Sequence, residues 1–197
     1  MKNCKRFLIA EGVMVLAGAF AVAPAAAQGV GAYGGLSLGM STSSDFNDLC
    51  DSFGSSVSCT KSPVGYKLFG GYQFNPNFAA EGGYYSTGDF KVSGGGVTAK
   101  ANATTFFGQA VGIMPVEQSF SIFGKVGMHF WKVKITDPSG FVGNSSDTGS
   151  DVVFGFGGKF AVSRTSAIRV EYEQFKASSG GTDFNVNFLS AGYEMKF

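Results

Sequence analysis

Three groups of residues in this chain have the types that chemistry needs. The first is a set of single charges recurring within alternating segments. Glu81, Asp151, Glu171, Glu173 and Glu194 stand with Lys67, Lys125, Lys159, Arg169 and Lys196, each opposite an apolar stripe. Five acids and five bases on one side of extended segments can pair with each other if that side is enclosed, and burying them otherwise would be costly. The second group is Cys50 and Cys59, which share one polar stretch; in an oxidising compartment they suit a disulfide that staples a loop. Closing so short a loop restricts the unfolded chain by about 2–3 kcal/mol. The third is His129, the single histidine. Hydrolytic or acyl-transfer chemistry would need a nucleophile and a carboxylate within its reach, so a polar interior residue beside Trp131 is the simpler expectation.

Other spacings fail on inspection. Asp45, Asp48 and Asp51 lack the glycine and terminal glutamate of a calcium loop. Gly94-Gly95-Gly96 is followed by neither Lys-Ser/Thr nor a helix, so it is no phosphate cradle. No catalytic set, metal site or cofactor is expected.

The elements that must position the charges follow from composition. The chain has 197 residues with 30 Gly, 21 Phe and only 15% charged residues, against about 25% charged in an average globular chain. Mean hydropathy is only +0.12. Beyond the amino-terminus no run approaches the ~18 apolar residues of a spanning helix. Residues 1–27 read as a signal peptide: Lys2, Lys5 and Arg6, then an apolar core, then Ala25-Ala26-Ala27. Removing it takes away three bases and Glu11, which leaves 12 basic and 13 acidic residues in a domain 28–197. That balance points away from nucleic acid.

Period-two alternation then marks eight strands, at about 30–41, 64–74, 78–87, 100–114, 120–135, 151–161, 167–175 and 184–197. The fourth leaves its register open around Phe106 and Phe107. Connections alternate long and short, as in outer-membrane barrels. Phe74, Phe78, Phe120, Phe160 and Phe197 fall beside the short turns or the terminus, suiting an aromatic girdle at one rim. A water-soluble barrel would turn the apolar stripes inward. A membrane barrel turns the charges inward, where glycines leave room, and it gives a role to an apolar final stripe of Tyr193, Met195 and Phe197. The expectation is an all-β, eight-stranded antiparallel up-and-down transmembrane β-barrel.

The stretch Gly65-Tyr66-Lys67-Leu68-Phe69-Gly70-Gly71-Tyr72-Gln73-Phe74-Asn75-Pro76-Asn77-Phe78-Ala79-Ala80-Glu81-Gly82-Gly83-Tyr84-Tyr85 resembles the second and third strands of the OmpA-like transmembrane β-barrel family. Phe123-Gly124-Lys125-Val126-Gly127 with Trp131, Gly157-Gly158-Lys159-Phe160, and Arg169-Val170-Glu171-Tyr172-Glu173 do so too. The resemblance implies an outer-membrane location and a non-enzymatic barrel with structural and surface-loop roles, such as adhesion or recognition. It implies contact with membrane lipids and lipopolysaccharide. Tyr193-Glu194-Met195-Lys196-Phe197 is similar to the segment read by the barrel assembly machinery, so that machinery and periplasmic chaperones are expected partners, with a monomer as product. The family's peptidoglycan-binding domain is not expected within these residues. A small gated pore and, more remotely, a lipid-modifying enzyme around His129 are the alternatives.

Overall fold

Alternating apolar and small polar residues leave this chain only one way to satisfy its backbone, which is to pair strand with strand. The computed structural model describes residues 30–52, 57–94, 97–136, 144–179 and 182–197. The expected leader, 1–27, lies outside them. The elements are β1 (Gly31–Thr42), α1 (Ser44–Ser52), β2 (Ser58–Thr60), β3 (Val64–Asn75), β4 (Phe78–Gly94), β5 (Val97–Pro115), β6 (Phe120–Thr136), β7 (Ser145–Ala161), β8 (Ser166–Ser179) and β9 (Thr182–Lys196).

Eight strands close an antiparallel cylinder in the order β1-β3-β4-β5-β6-β7-β8-β9, with β9 pairing back onto β1 from Tyr33↔Lys196 to Thr42↔Asn187. The short β2 is additional and sits on the far end of β4, Ser58 opposite Ser93. Closure leaves no free edge along the wall.

The faces are sorted by charge. Leu36, Leu68, Val126, Phe154, Phe156, Val170 and Leu189 are exposed on the outside, while Lys67, Glu81, Lys125, Arg169, Glu171 and Glu194 are buried inside. An apolar wall around a charged interior is stable in lipid and not in water. The register left open in β5 is settled by adjacent residues: Phe106 is 65% exposed and Phe107 only 6%. Among the described residues no helix is long and apolar enough to cross a membrane; the strands do so.

Three tight turns mark one end. Asn75 Oδ1 accepts the N–H groups of Asn77 and Phe78 at 2.8 and 2.9 Å, Val116 N–H bonds Phe120 O at 3.0 Å, and Val162 N–H bonds Ser166 O at 2.9 Å. Short turns face the periplasm in such barrels. The wall is also packed closely. A Cβ at Gly157 would stand 2.6 Å from the Phe123 ring and 2.4 Å from Val170 O, so only glycine lets that inward ring lie flat.

The opposite end departs from the sequence reading. Strands β4, β5, β6 and β7 have 17, 19, 17 and 17 residues, well beyond the ~9–11 that cross a bilayer. Stretches expected as loops at 88–94, 97–99, 145–150, 177–179 and 182 are therefore strand, and the 42–63 loop contains α1 and β2. Above the membrane both faces meet water, so the alternation that reveals a strand fades there. Residues 53–56, 95–96, 137–143 and 180–181 of the expected loops lie outside the described residues.

Candidate functional site

Neighbouring strands bring the inward charges to one level. Lys67 on β3 reaches Glu171 at 3.0 Å and Glu173 at 2.6 Å, both on β8. Lys125 on β6 reaches Glu81 on β4 at 2.9 Å and also Glu171. Arg169 touches three carboxylates, Glu81 at 3.0 Å, Glu171 at 3.0 Å and Glu194 at 3.1 Å. Lys159 adds a contact to Glu194 at 3.2 Å. Four cations thus face four carboxylates, and the cluster is neutral. Aromatic faces complete the packing: the Arg169 guanidinium lies 4.3 Å from the Phe69 ring centre and 4.9 Å from that of Phe123, a favourable arrangement for a desolvated cation. Tyr33 O–H and the Gln109 side-chain amide donate to Glu81 at 3.3 and 3.0 Å. A cavity beside the cluster measures about 10 Å³, room for about one water.

Two of the ten charges stand apart. Asp151 faces inward but accepts a hydrogen bond from Trp131 Nε1 at 3.1 Å, and among the described residues no salt bridge reaches it. Its position lies further up the barrel, opposite His129 in register. Lys196 is only partly buried and donates to Gln73 Oε1 at 3.0 Å near the periplasmic rim. Same-face placement was readable from alternation, but height along the barrel depends on stagger between strands.

His129 is buried among rings. It stacks on Phe175 at 4.6 Å and on Phe107 at 5.9 Å, with Tyr85 edge-on at 5.7 Å. Its Nδ1 lies 3.2 Å from Thr105 Oγ1. Trp131, Val153, Val186 and Phe188 extend this apolar layer above the ion pairs.

Two features of the extracellular end were not read from sequence. The first is a set of outward lysines on three adjacent strands. The lipid-facing row Tyr84↔Phe106↔Phe130 gives way to Lys132 opposite Thr104, then Lys134 opposite Asn102, then Lys91 opposite Lys100. Among the described residues these four lysines have no salt bridge, and Asp89 is the acid beside them. The signal lay in Lys132-Val133-Lys134, whose alternation continues that of β6. The second is α1, whose Cys50 is joined to Cys59 of β2, Cα–Cα 6.2 Å. Asp45 accepts the Asn185 backbone N–H at 2.8 Å, and Phe46 meets Phe90 with ring centres 5.0 Å apart.

Residues 12–197 match the family described as outer membrane protein beta-barrel domain. The chain belongs to that family. Outer membrane protein A of Klebsiella aerogenes is 30% identical over 202 residues, covering 98% of this chain and 55% of the relative. The chain thus spans about half the length of the curated relatives it matches. Among solved structures, Neisserial surface protein A superposes with a TM-score of 0.61 at 15% identity, over 86% of this chain and 99% of that one. Ail of Yersinia pestis, in complex with the heparin analogue sucrose octasulfate, gives 0.50 at 19% identity over 84% and 99%. At these identities the likeness concerns the fold. Family and fold together make this an outer-membrane β-barrel protein of bacteria.

Proposed function

We propose that this barrel is a non-enzymatic, non-conducting outer-membrane protein that steadies the leaflets it crosses and presents its tall outer end for surface recognition. The observation that carries this reading is the neutral cluster of buried ion pairs across the lumen, with an aromatic layer above it. An eight-stranded barrel has an interior that side chains fill, and here charge satisfies charge. The test is steady-state conductance in planar bilayers. A silent barrel that still shows heat-dependent gel mobility supports the reading; sustained single-channel steps would sink it.

The lysine rows above Phe106 and Phe130 suit contact with phosphorylated headgroups of the outer leaflet, lipopolysaccharide included, since each lysine near an anionic surface contributes about 1 kcal/mol. Ail, a barrel of the same fold, is seen with a polysulfated ligand, so the scaffold is compatible with holding a polyanion. The outward Tyr193, Met195 and Phe197 on β9 suit recognition by the barrel assembly machinery after export directed by 1–27, with periplasmic chaperones carrying the chain and a monomer as the product.

One observation favours the gated-pore alternative. Glu81 lies within reach of Arg169 and Lys125, with Lys67 at 3.8 Å, so its pairing can be exchanged without creating a lone charge. Conductance decides between the two. A lipid-modifying enzyme is the weaker reading, because the hydroxyl beside His129 belongs to Thr105, which lies within bonding distance of the Phe130 carbonyl at 3.2 Å, deep inside the barrel.

A further inference from the structure

The extracellular mouth holds a cavity of about 550 Å³, within the range of small-molecule sites, roughly 300–1,000 Å³. Its walls are mainly apolar, with Phe46 and Leu49 from α1, Phe90 from β4, Ala101 from β5, Ile135 from β6 and Phe184 from β9. Its floor is closed. Val186 belongs both to the cavity wall and to the apolar layer that holds Trp131, and the ion pairs lie beneath that layer. The cavity is therefore a pocket on the extracellular side of that layer, separate from any path through the lumen.

The device that shapes it is built, not incidental. A polar nine-residue helix has little stability of its own in water. Here α1 is held at three points, by the Cys50–Cys59 bond, by Asp45 on the Asn185 backbone, and by the Phe46–Phe90 ring contact. So fixed, it directs Phe46 and Leu49, one helical turn apart, at the cavity. Leu49 remains 45% exposed, so an apolar occupant of the cavity would gain by covering part of its surface. Lys100 and Asn102 border the cavity from outward-facing positions of β5, where the Asn102 amide donates to Gly88 O at 2.9 Å, so the neutral hydrogen-bonding groups on the inner side are those of Ser43 and Ser145.

We propose that the extracellular mouth is a binding pocket for an uncharged, mainly apolar small molecule with one hydrogen-bonding end, seated against the disulfide-held helix α1. The inference does not depend on whether the lumen conducts.

The test uses the full barrel in lipid vesicles titrated with N-phenyl-1-naphthylamine, a neutral fluorophore that absorbs where indole emits. Trp131 is the single tryptophan and lies one layer below the site. The expected result is saturable quenching of Trp131 with energy transfer to the probe. Ala101→Phe, which fills the cavity, is expected to weaken binding at least tenfold while heat-dependent gel mobility stays unchanged. Should that variant fail to fold, Leu49→Asp places a carboxylate in the pocket from the partly exposed helix and is expected to give the same loss. Quenching that rises without saturation, as partition into lipid would give, overturns the proposal. So does unchanged affinity in a folded variant.

Discussion

Arg169→Met is the sharpest test of the charge cluster, because it removes one cation while nearly keeping the side chain's length. In the native barrel four cations balance four carboxylates, and among the described residues Arg169 is the only group that touches Glu81, Glu171 and Glu194 together. Without it Glu81 keeps Lys125 at 2.9 Å, Glu171 keeps Lys67 at 3.0 Å, and Glu194 keeps only the more accessible Lys159 at 3.2 Å. The interior is left with one excess negative charge among Phe69, Phe107 and Phe123. Breaking a buried pair by removing one partner costs about 3–5 kcal/mol, mostly through the uncompensated charge. Urea unfolding in vesicles, followed by Trp131 fluorescence, is expected to show a loss of that size at unchanged m-value. Adding Glu81→Gln restores neutrality with three cations and three carboxylates, and is expected to recover about 2 kcal/mol through coupling of the two sites. A single-variant loss under about 1 kcal/mol would refute the reasoning. So would a double variant that loses the full sum of its two singles.

Phe156→Arg puts a guanidinium on the lipid face near mid-strand of β7, and is expected to cost about 2–4 kcal/mol by the same unfolding assay. Gly157→Val drives a branched side chain against Phe123 and the Val170 carbonyl, at 2.6 and 2.4 Å for the first carbon alone; overpacking predicts a loss of about 1–3 kcal/mol. Deleting Phe197 removes an 84% exposed ring and the backbone bond from its N–H to Ala32 O at 3.0 Å. It is expected to lower the yield of heat-modifiable barrel in cell envelopes severalfold, while the protein that does insert melts within a few degrees of the parent.

Alternation made most of the wall legible. In β1, β3, β6, β7, β8 and β9 one face is apolar and the other small or charged, because lipid and lumen impose opposite demands on successive residues. The fourth strand hid its register because Phe106 and Phe107 are adjacent, one lipid-facing and one packed inside, and their neighbours are small enough for either face. Strand ends above the bilayer were lost for a different reason. At Lys91, expected in a loop, the outer face already meets water, so polarity marks a loop and a strand alike. The charge cluster was half visible: sequence supplies a residue's face, while stagger between strands supplies its height, which separates Asp151 from Glu171. The pocket at the mouth left no trace, since its walls come one or two side chains at a time from elements far apart in sequence.

The seam between β1 and β9 sets the order in which this molecule can form. Each short-turn hairpin, β3–β4, β5–β6 and β7–β8, joins residues close in sequence and can form early. Tyr33 must wait for Lys196, at the far end of the described chain, and closing so long a loop carries a large entropic cost before any contact repays it. Until then the sheet is an open ribbon with two bare edges and a hydrophobic face, a shape that invites pairing with other chains. The cylinder that ends aggregation can be completed only by its most distant contact, so the chain must be kept from collapsing for as long as that contact takes to arrive.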